Sequence, residues 1–163
     1  MIRKIMLALL GVLVIIQFFH PDKNVRDPET QQDSNIEKVL SVPSEVSSIL
    51  QNNCYDCHSN DTEYPWYAEI QPIHWWINHH IEEGKHELNF DEFANYSIRR
   101  QYKKLEEINE EVKDGEMPLK AYTLIHKDAQ LNAAQKQTIA NWVSAAQEYM
   151  RSIHPADSLL KKN

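Results

Sequence analysis

The sequence predicts an all-α protein, and three observations support that prediction. The chain of 163 residues contains only 3 glycines, so it is poor in the residues that a sheet-rich fold needs for tight turns. Clusters of β-branched residues, which are typical of strands, are few. Apolar residues instead recur at intervals of three and four, which is the spacing of one face of an α-helix. The length is sufficient for one domain and little more.

Residues 1–20 predict a helix that is a signal anchor or a signal peptide. Arg3 and Lys4 precede an apolar run of about 15 residues ending at Phe19, an order that is typical of such segments. The run is shorter than the ~20 residues that comfortably span a bilayer. Neither a small-residue cleavage site nor a lipobox cysteine follows it, which favours an uncleaved anchor. Because the basic residues come first, we expect the body to lie in the periplasm and the anchor in the inner membrane.

Residues 21–34 are polar and charged and contain two prolines, which predicts a linker. A helical body is expected over residues 35–155, followed by a tail over 156–163. The first helix of the body starts near Pro43, which is tolerated in a first helical turn. Its apolar stripe consists of Val46, Ile49 and Leu50.

Three more helices are predicted in the body. One begins at Pro72, and Gly84 is its expected C-terminal stop. The next runs from about Asp91 to Asp114. The last begins at Asn132, a good N-cap residue. Their apolar stripes are Ile73, Trp76, Ile77, His80 and Ile81, then Ala94, Ile98, Leu105, Ile108 and Val112, and finally Ile139, Trp142, Val143, Ala146 and Met150.

Three boundaries of these helices have specific signals. Gly115 follows the third helix directly and is expected to end it. Gln135 stands three residues after Asn132, which is the spacing of a capping box. Pro155 follows the end of the last helix.

The charge of the body excludes one class of partner. Arg3 and Lys4 account for two of the 17 basic residues, so the rest of the chain carries 15 basic side chains against 24 acidic ones, a net charge of −9. Such a surface does not bind nucleic acid and is repelled by anionic lipid. Two interpretations stay open, a solvated surface without a specific role and a docking surface for a basic redox partner.

The strongest motif in the chain is Cys54-x-x-Cys57-His58, the pattern of c-type haem attachment. Two thiols three positions apart near a helix end can both reach the two vinyl groups of one porphyrin edge. The next residue then places an imidazole under the iron. The motif therefore predicts one covalent haem c, with His58 as the proximal iron ligand. Burial of the macrocycle also adds apolar contact to a small domain.

The motif has three alternative interpretations, each with a weakness. A zinc site needs two further ligands, and the chain has no second cysteine pair, although it has other histidines. A thioredoxin-like dithiol requires a βαβ context, which the pattern does not predict. A structural disulfide is geometrically awkward between residues so close in sequence.

The best candidate for the distal iron ligand is Met117. It lies in the loop between the third helix and the last one, flanked by Gly115 and Pro118, which restrains its backbone. Methionine is a common partner of histidine in cytochromes and raises the reduction potential. A methionine is more often a core residue, but a polar loop is a poor place for that role. His126, nine residues later, is the alternative distal ligand.

Other histidines and the tryptophans carry weaker signals. His80 shares the apolar face of its helix and is able to approach the haem, whereas His74 and His79 fall off that face and are expected to be exposed. Trp76 and Trp142 fit core positions. One member of the pair Trp66 and Tyr67 is a candidate to pack on the porphyrin or to bond a propionate.

Together these features resemble the cytochrome c superfamily. The residues that carry the resemblance are the motif after an amphipathic helix, Met117-Pro118 in a late loop, and the pattern from Leu131 to Trp142 opening a C-terminal helix. The resemblance implies a cytochrome c-like helical domain, with an extended central helical insert between His58 and Met117. It also implies that the terminal helix packs against the N-terminal helix of the domain.

More closely, residues 40–150 resemble the bacterial haem-binding domain family, whose members have a short N-terminal hydrophobic segment and a single Cys-x-x-Cys-His motif. The similar stretches are Tyr64-Pro65-Trp66-Tyr67, Gln71-Pro72, Gly84 to Phe90, and Tyr122 to His126 with Ala129 and Leu131. The resemblance implies covalent haem and electron transfer, without a specific reaction.

We therefore expect a membrane-tethered carrier of single electrons, without enzymatic activity and with an unidentified redox partner protein. One alternative is a five-coordinate haem sensor or peroxidase-like enzyme, with His80 or His126 on an open distal side. A less favoured alternative is a zinc-binding interaction module.

Overall fold

A computed structural model describes residues 1–27 and 33–160, and the regular elements within those ranges are all helical, as predicted. The α-helices are α1 (Ile2–Ile16), α2 (Ser44–Asn53), α3 (Tyr55–His58), α4 (Ile73–Glu87), α5 (Ile98–Asp114), α6 (Lys120–Ile125), α7 (Ala133–Ile153) and α8 (Ala156–Leu159). Short 3₁₀ helices cover Ile36–Lys38, Trp66–Glu69, Phe90–Asn95 and Lys127–Ala129.

The core lies where α2, α5 and α7 pack together, with α8 against α5. Leu105 of α5 and Ile139 of α7 are fully buried at its centre. The indole of Trp142 donates a hydrogen bond to the carbonyl of Ser41 at 3.1 Å, which ties α7 to the residues just before α2. The terminal helix thus contacts the helix that leads into the cysteine motif, as the resemblance implied. Leu159 of α8 is also buried, so the core extends past residue 155.

The predicted helix ends at α5 and α7 are confirmed. Gly115 follows α5 with φ 76°, a left-handed conformation in which glycine carries no Cβ strain. Asn132 caps α7 by accepting from the backbone N–H of Gln135, whose side chain in turn accepts from the N–H of Asn132. This is the expected capping box.

Two predicted boundaries are wrong. Helix α4 does not stop at Gly84 but continues to Glu87, and the N–H of Leu88 bonds to the carbonyl of Gly84. Helix α5 begins at Ile98 rather than near Asp91, because the side chain of Ser97 caps it. Residues Phe90–Asn95 form a 3₁₀ helix, in which an i, i+3 spacing turns Phe90 and Phe93 into the core.

No residue of the N-terminal helix α1 is buried, and all of its residues except the half-buried Ile16 are exposed. Among the described residues, no helix combines the length and hydrophobicity required to cross a membrane. Part of the segment predicted as a linker contacts the body: the side chain of Asn24 donates to Ser59 and Thr62, and Arg26 bonds to Asp91. Residues 28–32 of that segment lie outside the described ranges.

Candidate haem site

The cysteine motif forms one helical turn that is separate from the helix before it. Helix α2 ends at Asn53, and Cys54 breaks the helical path with φ −129°. The carbonyl of Cys54 then accepts from the N–H of Cys57 at 3.2 Å and of His58 at 3.0 Å, which closes the turn of α3. The two thiols and the imidazole therefore come from one compact turn, and the two cysteines are not joined in a disulfide.

His58 is oriented by a backbone carbonyl. Its Nδ1 lies 2.9 Å from the carbonyl oxygen of Leu88, the residue that follows α4. Because a carbonyl oxygen only accepts, Nδ1 carries the proton and Nε2 presents a lone pair. Burial lowers the pKa of His58, although the carbonyls of Leu88 and Gly84 act in the opposite direction. A neutral imidazole whose other nitrogen is tied to a carbonyl is the form in which histidine ligates metals.

Gly84 has a packing role that its position in the sequence did not indicate. It lies inside α4, opposite the turn of α3, and a Cβ built on it would stand 2.7 Å from the carbonyl oxygen of Cys57. That distance is shorter than any ordinary carbon–oxygen contact, so only glycine permits α4 to approach the motif this closely. The approach of α4 also brings the carbonyl of Leu88 to His58.

Two cavities of about 660 and 540 Å³ adjoin the motif. Each volume lies within the ~300–1,000 Å³ that is typical of cofactor sites. The side chains common to both walls are Asn53, Cys54, His58, Glu87, Met117 and Pro118. The structure thus brings the predicted proximal ligand and the predicted distal ligand to the same cavities. A larger cavity of about 920 Å³ is lined mainly by charged and polar side chains and suits a porphyrin face poorly.

The loop that carries Met117 is fixed to the end of α5. The backbone N–H groups of Gly115, Glu116 and Met117 all bond to the carbonyl of Glu111. This arrangement satisfies the helix terminus and holds the methionine at the cavity wall. Met117 is half-buried there, as a residue between core and cavity would be.

His126, the alternative distal ligand, is engaged elsewhere. Its Nε2 lies 2.7 Å from the hydroxyl of Tyr67, and its ring stacks on Tyr122 at a centroid distance of 4.5 Å. Tyr122 in turn donates to a carboxylate oxygen of Asp56 at 2.7 Å, and burial and this bond raise the pKa of Tyr122. His126 does not line either cavity, although it lies close to Cys57 across a much smaller one.

Several expectations for the remaining aromatic residues are corrected. His74 is buried rather than exposed, because its Nδ1 bonds to the carbonyl of Ala68 and its ring stacks on Tyr64. Trp76 is not a core residue but is 46% exposed, whereas Trp142 is buried as predicted. Neither Trp66 nor Tyr67 lines the two cavities beside the motif.

The remaining histidines of α4, which are His79, His80 and His86, all line the cavity of about 660 Å³ but differ in burial. His79, predicted to be exposed, has a side chain that is 62% exposed. His80 is half-buried and lines the cavity of about 660 Å³, where Trp76 packs on its ring at a centroid distance of 4.3 Å.

The two thiols stay protonated in this environment. Burial, and then repulsion by Cys57, raises the pKa of Cys54 to about 12. Burial and the nearby Asp56 raise the pKa of Cys57 to about 11. A redox-active dithiol needs a lowered thiol pKa, so the thioredoxin-like alternative finds no support here. The zinc alternative has no structural support either, because residues 1–27 and 33–160 contain no group of three or more His, Cys, Asp or Glu side chains placed to hold a metal ion.

Lys104 is a site residue that sequence reasoning missed. It lines the cavity of about 540 Å³, and its ammonium group bonds to Glu87 at 3.2 Å and to Glu107 at 2.6 Å. Its side chain is only 11% exposed, so a fixed positive charge stands at the cavity wall. Lys104 lies four and eight residues before Ile108 and Val112, so helical spacing separates it from Lys103, whose side chain is 69% exposed. The sequence does not show that this face of α5 borders a cavity.

An all-helical domain that presents two free thiols and a neutral imidazole to a cofactor-sized cavity defines a small cofactor-binding protein of the haem type. The Haem-binding domain family matches residues 11–145, and the chain belongs to that family. It is therefore a haem-binding protein. No curated protein and no solved structure matches the chain. The matched residues include the second part of α1 as well as the motif, the cavities and most of α7.

Proposed function

We propose that this protein is a membrane-tethered c-type cytochrome of the cytochrome c superfamily, which carries one covalent haem c and transfers single electrons in the periplasm. The observation that carries the proposal is the arrangement of His58, with Nδ1 bonded to the carbonyl of Leu88 and Nε2 available beside two free thiols. Cys54 and Cys57 would hold the porphyrin edge, and His58 would ligate the iron from the proximal side.

The protein residues around the site fit the needs of an electron carrier. The haem supplies the reversible one-electron couple of its iron, while axial ligands, burial and nearby charge set the potential. Met117 is the proposed distal ligand, because it lines both cavities with His58 and sits on a loop that is bonded to α5. His126 is the weaker candidate, since its Nε2 already has a partner in Tyr67.

We also propose that α1 is the membrane anchor. Its 15 residues are apolar apart from Arg3 and Lys4 at the start, and none of them is buried by the body. The helix is short, at about 22 Å, but short segments are accommodated by local thinning of the bilayer and by flanking residues that reach the interface. The acidic body would then face a basic redox partner in the periplasm.

A denaturing gel stained for haem tests the covalent attachment. The full chain is expressed with the haem maturation machinery of the periplasm, beside the double variant C54S/C57S. We expect a haem-stained band at the mass of the wild-type chain and none for the double variant. A wild-type band without stain would refute the covalent haem. If the wild-type chain retains the stain, a one-electron redox titration of the purified protein tests the electron-transfer role.

The attachment of α1 has its own test. Membranes from the same cells are washed at alkaline pH, which releases peripheral proteins but retains inserted ones. We expect the full chain to stay with the membrane, and a chain in which a cleavable signal peptide replaces residues 1–20 to be released. Release of the full chain would refute the anchor while leaving the haem result untouched.

A five-coordinate sensor or peroxidase-like enzyme is a second candidate, favoured by one observation. His80 lines the cavity of about 660 Å³ together with Met117, so a histidine stands near the distal side. In that case the iron would be high-spin and would bind carbon monoxide readily. Low-spin iron that resists carbon monoxide would exclude this candidate.

A further inference from the structure

The chain enters the body directly at the end of α1, without a free spacer. The side-chain amide of Gln17 donates to the carbonyl of Gln71 at 3.1 Å, and its oxygen accepts from the N–H of Gln71 at 2.9 Å. The carbonyl of Phe19 accepts from the side chains of Gln71 and Trp75, both at 2.8 Å. These four bonds fix the exit of α1 to the start of α4.

Six apolar side chains that lie close to this junction in the sequence are exposed. We call them the junction face, and they are Phe18 (82% exposed), Phe19 (62%), Ile70 (43%), Ile73 (37%), Trp75 (39%) and Trp76 (46%). Exposed apolar patches of this kind mark interaction sites on soluble surfaces.

The sequence of the junction face avoids charge. Residues 70–77 contain no Asp, Glu, Lys or Arg, in a chain of which 25% is charged. The nearest ion pair joins Lys23 to Glu69 just outside this stretch. Because the exposed side chains of this stretch carry no charge, the junction face is suited to an apolar or zwitterionic partner.

The position of α1 identifies that partner. If α1 enters lipid, the bonds of Gln17 to Gln71 hold the junction face at the level where the helix leaves the membrane. Tryptophan and other aromatic rings are enriched at that level. The helix is about 22 Å long, against a hydrocarbon thickness of ~30 Å, so apolar side chains at its exit would lengthen the lipid-facing surface.

We propose that the junction face rests in the interfacial layer of a phospholipid bilayer and fixes the orientation of the haem domain on the membrane. The proposal rests on the proposed anchoring role of α1. Zwitterionic phosphatidylcholine is the expected surface, because the net charge of the body opposes anionic lipid. Trp76 packs on His80, which lines the cavity beside the motif, so α4 connects the lipid-facing side to the haem site.

Photolabelling of the full-length protein in phosphatidylcholine vesicles tests the proposal. The vesicles contain a phosphatidylcholine with a photoreactive diazirine near its headgroup, and labelled peptides are identified by mass spectrometry. We expect lipid adducts on α1 and on residues 66–77. We expect none on three apolar residues that are at least as exposed as those at positions 70–76, namely Tyr149 and Ile153 of α7 and Leu160 just after α8.

Variants with retained haem sharpen the test. The double variant I70S/I73S should lower the adduct yield on residues 66–77 severalfold, whereas I153S, which removes an exposed isoleucine on α7, should leave it unchanged. Adducts on α1 alone would overturn the inference and leave the anchor intact. Absence of adducts on α1 would overturn the anchor and the inference together. Photo-crosslinks between two protein chains through residues 66–77, in place of lipid adducts, would assign the face to a second copy and also overturn the inference.

Discussion

Gly84 and Cys57 approach each other so closely that no other residue fits at position 84. A Cβ on Gly84 would lie 2.7 Å from the carbonyl oxygen and 3.3 Å from the Cβ of Cys57. The obstructing atoms include backbone, which cannot rotate aside. The contact sets the distance between α4 and the motif, and with it the hydrogen bond that Nδ1 of His58 donates to the carbonyl of Leu88.

Gly84→Ala should therefore reduce both stability and haem content. Alanine is ordinarily better than glycine inside a helix by ~0.8–1.0 kcal/mol, but the forced displacement of α3 costs more, and we expect a net loss of about 1–2 kcal/mol. Urea unfolding of the holoprotein and the ratio of haem to protein measure the two effects. Gly11→Ala is the matched control, because nothing lies within 4 Å of the added Cβ. A Gly84→Ala protein as stable and haem-replete as wild type would contradict the contact.

Met117→Ala should remove the proposed distal ligand of the iron. The expected result is a change from low-spin to high-spin ferric haem and the loss of the near-infrared band of thioether ligation. His126→Ala is the control, and it should keep the low-spin spectrum while losing about 1 kcal/mol of stability with the bond to Tyr67. An unchanged spectrum for Met117→Ala, or a high-spin spectrum for His126→Ala, would show that the distal side is arranged differently.

The sequence predicted the helices best where periodicity and end signals agreed. Asn132, Gln135 and Gly115 were correct because caps and left-handed termini depend on the residue itself and on near neighbours. The prediction that Gly84 ends α4 was wrong because this glycine has a tertiary role. A Cβ at position 84 would collide with Cys57 where α4 packs against α3. The predicted start of α5 near Asp91 was wrong because a short 3₁₀ helix and an α-helix both place residues i and i+3 on the same side, so the sequence does not distinguish them.

The site residues also differ in whether local sequence or tertiary packing determines their position. Cys54, Cys57 and His58 were predicted from local spacing and Met117 from its loop between Gly and Pro, and the structure brings these residues to adjoining cavities. The carbonyl of Leu88 and the charge of Lys104 could not be predicted in this way, since both reach the cavity only through the packing of α4 and α5.

Lys104→Met should lower the reduction potential of the haem. A positive charge at the cavity wall favours the reduced iron, which carries one charge fewer, so its removal shifts the potential downward by an amount on the order of tens of millivolts. Potentiometric titration measures the shift. Lys103→Met is the control, because it also removes a cation paired with Glu107 but from an exposed position outside the cavity. Equal shifts in the two variants would contradict a special position for Lys104.

Asp91 connects the segment before α2 to the loop after the motif. Its carboxylate accepts from Arg26 at 2.8 Å, from the side chain of Asn35 at 2.9 Å and from the backbone N–H of Asn60 at 2.9 Å. Burial alone would raise the pKa of Asp91, but the three donors and the charge of Arg26 lower it overall. The ionised form is thus favoured in the folded chain.

Asp91→Asn should destabilise the protein at neutral pH and much less in acid. A lowered folded pKa contributes stability that is complete above the unfolded value of about 3.9 and is lost as the pH falls through the folded value. We expect a loss of about 1–3 kcal/mol at pH 7, since a charged acceptor with buried donors is replaced. Urea unfolding between pH 7 and pH 3 should show the two proteins converging in acid. Asp61→Asn, at an exposed carboxylate beside Arg26, should cost less than about 1 kcal/mol. A difference between wild type and Asp91→Asn that is as large at pH 3 as at pH 7 would refute the ionised network.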